Sequence, residues 1–138
     1  MSLLIPIFEG KISGNGTTSS KDDYFDLGAF GSLSPITSGK QLYLGYLILI
    51  SQDKNLTFEL RSNISGQSTG TTANTDLIGE GACDPTSGSV VVDFYFNGSI
   101  VNLAPLVAST GVEKLWIRTK SGTNTAATWQ VFLYYTLI

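Results

Sequence analysis

The chain has no histidine, one cysteine and few charges, and each scarcity closes off a class of chemistry. Without histidine, the commonest general base and the usual partner in zinc sites and catalytic triads are missing. The lone Cys83 cannot close an internal disulfide, so stability has to come from packing, which favours a reducing compartment or an assembly that needs no cross-links. One cysteine without histidine also argues against a transition-metal site. Only 14% of the 138 residues are charged, and 8 Lys plus Arg against 11 Asp plus Glu give a net charge of −3 with the basic residues dispersed. That pattern is no footprint for nucleic acid. Long hydrophobic runs are absent too: Leu42 to Ile50 falls well short of the ~20 residues of a membrane helix. The opening MSLLIPIFEGK lacks a basic leader and is broken by Pro6 and Glu9, so it is a poor secretory signal. The expectation is a soluble chain with neither membrane nor nucleic acid as partner.

What is present is β-like. Ser, Thr, Asn and Gly make up the polar balance, and no stretch carries a sustained helical period with a capping signal. Leu3 to Phe8 reads as a first strand, with Pro6 placing it at an edge, and residues 1–12 as a possible extended arm. Ser13 to Ser20 reads as a turn-rich loop and Tyr24 to Leu27 as a short strand. Gln41 to Ser51 is the strongest internal strand, with Leu42, Leu44, Tyr46, Ile48 and Ile50 on one face and Tyr43, Gly45, Leu47 and Leu49 on the other. Leu56 to Arg61 alternates cleanly and is expected to close a hairpin with it. Ser62 to Thr75 is a long polar loop, followed by strands at Asp76 to Glu80 and Ser89 to Phe96. Asn97-Gly98 matches a type I′ turn that returns Ser99 to Leu103. Glu113 to Lys120 and Thr128 to Ile138 read as a final long hairpin. About eight short strands in one domain spanning 1–138 predict an antiparallel β-sandwich, a jelly roll in first place and an immunoglobulin-like order in second.

Candidate chemistry is thin. Asp22, Asp23 and Asp26 form an Asp-Asp-x-x-Asp cluster, but gathering all three on one side needs a helix where loop and strand are expected, so a solvated loop is the plainer reading. Cys83 has no basic neighbour to lower its thiol pKa and reads as a packing residue. Glu59, Asp93 and Glu113 are strand-associated carboxylates of the kind a glycosidase pairs across a cleft, though nothing in the chain pairs them. Four Asn-x-Ser/Thr matches, at Asn15, Asn55, Asn63 and Asn97, are what a chain rich in these residues produces by chance. No catalytic residue, metal or cofactor is expected, and the chain reads as a non-enzyme.

The aromatic and aliphatic residues on second strand faces are harder to set aside. The terminal TWQVFLYYTLI puts Trp129, Val131, Leu133, Tyr135 and Leu137 on one face and Gln130, Phe132, Tyr134, Thr136 and Ile138 on the other. A strand facing water needs one apolar face only. Leaving a few hundred Å² of apolar surface exposed forgoes on the order of several kcal/mol at ~25 cal/mol per Å², and association around a symmetry axis recovers it. Tyr43, Leu47, Leu49, Phe132, Tyr134 and Ile138 are therefore the candidate subunit interface. The alternative use of exposed rings is a sugar-stacking platform, with Trp116 and Tyr95 as its candidates.

The strands QLYLGYLILI, VVVDFYFNGS and TWQVFLYYTLI, set among Ser, Thr, Gly and Asn loops behind the possible arm MSLLIPIFEGK, resemble the small cement or decoration proteins of tailed-phage capsids. That resemblance implies a trimeric jelly roll on the capsid surface of a virion, made in the host cytoplasm and bound to the major capsid protein. It carries no catalytic residues over. The alternative is a carbohydrate-binding sandwich, lectin-like or from a fibre or spike.

Overall fold

A computed structural model describes residues 8–19, 22–51, 55–83, 89–93, 106–122 and 125–138. Among the described residues nine strands run in chain order: β1 (Gly10–Thr18), β2 (Asp23–Asp26), β3 (Gln41–Ser51), β4 (Leu56–Asn63), β5 (Thr75–Cys83), β6 (Ser89–Asp93), β7 (Leu106–Val107), β8 (Leu115–Ser121) and β9 (Ala127–Leu137), with one 3-10 turn at Leu27–Phe30. They form two antiparallel sheets, the first ordered β1-β9-β3-β6 with β7 also on β3, the second β2-β8-β4-β5. The chain is the antiparallel β-sandwich that its alternation predicts. Among the described residues no helix is long and apolar enough to cross a membrane.

The two longest strands, β3 and β9, lie side by side at the centre of the first sheet, with Leu42 opposite Leu137 and Ser51 opposite Trp129. Equal length lets them pair along most of their run, each turning its other edge to β1 or β6. Their inward residues Leu42, Leu47, Leu49, Trp129, Val131 and Leu133 meet Leu56, Phe58, Leu60, Leu115 and Ile117 of the second sheet in one core. Each such side chain contributes about 1.5–3 kcal/mol by leaving water, and this burial replaces the cross-links that a single cysteine cannot make. Cys83 is itself buried in that core.

Three expectations are corrected. Ser13 to Thr18 is strand, not loop, and Gly10 to Ile12, placed in the possible arm, begin the same strand β1. Glycine marks this strand because a ring lies on it: a Cβ at Gly16 would sit 2.2 Å from Cζ2 of Trp129, on the strand alongside. The β3–β4 and β8–β9 hairpins do not form, since each pair is divided between the two sheets. Alternation is the same for a strand that turns back within its sheet and one that arches over to the facing sheet. Among consecutive strands, β4 and β5 do pair, and the polar loop 64–74 joins them. Residues 1–7, Tyr95, the Asn97-Gly98 turn and Ser99 to Leu103 lie outside the described residues.

Candidate functional site

Among the described residues, the outward face of the first sheet is where apolar side chains remain without a second layer. Phe132 and Tyr134 of β9 point outward, half-buried, as their alternation predicts. On β3 the prediction fails halfway. The pairing with β9 shifts register between Leu44 and Tyr46, leaving Gly45 as an extra residue, a β-bulge. One added residue reverses every later side chain. Leu47 and Leu49, expected at the interface, are therefore core residues with no exposed surface. Tyr46, Ile48 and Ile50 take their place outside, half-buried beside Tyr43. The signal was the lone glycine in a strand run. Gly45 is buried, and a Cβ there would stand 2.7 Å from the ring of Phe8.

The register builds a compact patch. Ile48 stands opposite Phe132 and Tyr46 opposite Tyr134, whose rings lie 4.6 Å apart at 34°. On the far side of β9, Lys11 of β1 stands opposite Tyr134, and its Nζ lies 5.3 Å from the Phe132 ring and 5.7 Å from that of Tyr134. Asn15 is opposite Gln130, and Ile50 flanks it. Tyr43 uses its hydroxyl on Gln41 Oε1 at 2.7 Å. Ile138 is 66% exposed, its backbone held by Gln41 just beyond the patch. Of the six interface candidates, Tyr43, Phe132 and Tyr134 share this face, Ile138 borders it, and Leu47 and Leu49 do not belong to it.

The outward face of the second sheet is different in kind. Arg118 of β8 bonds Glu59 Oε1 of β4 at 2.8 Å and also pairs with Asp22, while Arg61 reaches the same Glu59 oxygen at 3.1 Å. The Asp22 carboxylate, followed by Glu59, raises the Arg118 pKa against the opposing effect of burial. A shallow groove beside them, lined by Thr57, Glu59, Glu80, Ala82, Arg118 and Lys120, mixes both signs of charge. Trp116 lies on this face but not as an open platform. Loop 64–74 folds over it, so that a Cβ on Gly70 would meet the ring at 2.6 Å. Its Nε1 donates to Asn63 Oδ1 at 2.9 Å, and Lys114 Nζ lies 5.8 Å from the ring.

The carboxylate candidates have separate tasks. Asp22 pairs with Arg118, Asp23 accepts the Ser19 N–H at 2.5 Å, and Asp26 accepts the Ser34 hydroxyl at 2.5 Å. They do not converge, and among the described residues no group of three potential ligands could hold a metal ion. Glu113 is buried and ties two loops together. It accepts the Gly66 N–H at 3.0 Å, the Ser109 hydroxyl at 2.9 Å and the Thr110 and Val112 N–H groups at 3.2 and 3.1 Å. The Gly66 N–H leads the effects that hold its pKa well below the usual carboxylate range, with burial opposing. A general acid needs the reverse shift, so its geometry is that of a fastener.

No family model matches the sequence, and no curated protein matches it. Among solved structures, the Yersinia pseudotuberculosis-derived mitogen (YPM) is similar with a TM-score of 0.40 and 10% identity over 91% of this chain and 85% of that one. Likeness at that level carries no functional argument.

Proposed function

We propose that this chain is a non-enzymatic structural component of a virion, a jelly-roll cement protein that forms a homotrimer and stabilises the shell through contact with the major capsid protein. The observation that carries the self-associating half is the outward patch of Tyr46, Ile48, Ile50, Phe132 and Tyr134, which has no covering layer among the described residues. A contiguous group of half-buried apolar side chains outside the domain's own core favours a protein contact. The strand order supports the jelly-roll reading. With the two-residue β7 left out, the first sheet holds the first, eighth, third and sixth strands and the second holds the second, seventh, fourth and fifth. Winding one antiparallel ribbon around a sandwich gives that order. The capsid half rests on the sequence resemblance.

The test is the native mass of the purified chain together with its sedimentation alongside assembled particles. A trimer that co-sediments supports the reading. A strict monomer at micromolar concentration overturns the oligomer, and a trimer that never associates with particles overturns the cement role.

A second reading, a carbohydrate-binding sandwich, moves from Trp116 to the first sheet, where Asn15 and Gln130 are cross-strand partners and Gln130 shares its face of β9 with Phe132. Amides flanking an aromatic plane suit hydroxyl-rich ligands. Silence across a broad glycan panel removes it.

A further inference from the structure

We propose that the outward face of the first sheet docks a second copy of this chain, with Lys11 of one copy paired to Glu9 of the next. The inference rests on the self-association reading above and adds the contact that would specify it. Glu9 directly precedes β1, and strand alternation carries it to the side of Lys11, about 7 Å along. Both are exposed, and among the described residues neither enters an ion pair. Lys11 leans instead over the Phe132 and Tyr134 rings at the centre of the patch.

The patch is thus rimmed along β1 by one base and one acid. A rim that carries both signs is complementary to itself: around the trimer each copy offers its Glu9 to the Lys11 of one neighbour and its Lys11 to the Glu9 of the other. A uniformly charged partner would leave one of the two unmatched and desolvated. The ammonium need not leave the rings, since cation–π contact and a carboxylate neighbour are compatible. The second sheet also leaves exposed Glu80 and Lys120 outside any ion pair among the described residues, but the centre of its outward face is the paired cluster of Arg118, Arg61, Glu59 and Asp22 rather than apolar side chains. Apolar centre and charged rim together describe an interface rather than a solvent face.

The experiment compares association of the full-length chain by sedimentation equilibrium for wild type, Lys11→Glu, Glu9→Lys and the double exchange, with circular dichroism and thermal unfolding reporting the fold. Each single reversal is expected to weaken association about tenfold and the double exchange to return it to within about threefold. High salt should weaken the wild type. Single variants that associate like wild type, or a double exchange weaker than either single, overturn the contact while leaving self-association standing. A wild-type monomer that still sediments with particles assigns the face to another protein and overturns both. If a reversed variant does not fold, Glu9→Gln, which lies outside β1, decides: loss of about threefold supports the pairing and an unchanged constant overturns it.

Discussion

Trp129 Nε1 donates a 2.8 Å hydrogen bond to Thr18 Oγ1 inside the sandwich, and the same hydroxyl meets Oγ1 of Thr119 on the facing sheet. The three residues are almost entirely buried, so this polar bridge joins β9, β1 and β8 across the core. The Phe25 and Phe30 rings pack T-shaped against the Trp129 ring, with centroids 5.1 and 6.2 Å away, so the indole is fixed both by packing and by its N–H.

Replacing Thr18 by Val should leave the indole N–H and the Thr119 hydroxyl without their partner at unchanged volume. Urea unfolding is expected to report a loss of about 1–3 kcal/mol, with Thr18→Ser recovering most of it. A Val variant as stable as wild type would remove the bridge from the stabilising interactions.

Gly16→Ala places a methyl within 2.2 Å of the buried Trp129 ring. Overpacking there should cost about 1–3 kcal/mol and shift tryptophan emission, since the ring has to move. A neutral effect on both would mean that β1 can slide away from β9.

The bulge at Gly45 predicts that neighbours in sequence act in different ways. Leu47→Ala, in the core, should destabilise the monomer by about 2–5 kcal/mol. Ile48→Ser, on the outward patch, should leave unfolding within about 1 kcal/mol but weaken self-association, as should Tyr134→Asp. Measuring unfolding and native mass on all three separates the effects, and an Ile48→Ser variant that unfolds like Leu47→Ala would contradict the register.

Glu113→Gln replaces an acceptor surrounded by donors with an amide that can accept at one atom only. A loss of about 1–3 kcal/mol at neutral pH is expected, with faster hydrogen exchange in loops 64–74 and 108–112. The pH dependence has a definite sign. A carboxyl held below its ordinary value of 4.5 stabilises the fold fully above that value and loses the contribution as pH falls through the lowered one. The difference between wild type and variant should therefore be constant above about pH 5 and shrink on acidification; a gap that widened in acid would reverse the assignment.

Much of the sandwich was legible from alternation alone. Leu56, Phe58 and Leu60 point inward and Thr57 and Glu59 outward, and β8 and β9 divide their faces as the period of two requires. Absence of histidine and the single cysteine limited the chemistry before any fold was known, and Phe132 and Tyr134 could be assigned to an outer face because a strand has only two sides.

The tertiary structure decided what local pattern cannot carry. Which strands pair was open, because β3 and β4 alternate identically whether they share a sheet or face each other across the core. The identity of the outer patch on β3 was open too, because one bulge residue at Gly45 exchanges Leu47 and Leu49 for Tyr46, Ile48 and Ile50. The glycines of β1 looked like a loop until the ring that lies on Gly16 was in place. Periodicity is a property of the chain, whereas register, bulges and close approaches are settled by the neighbour on the next strand.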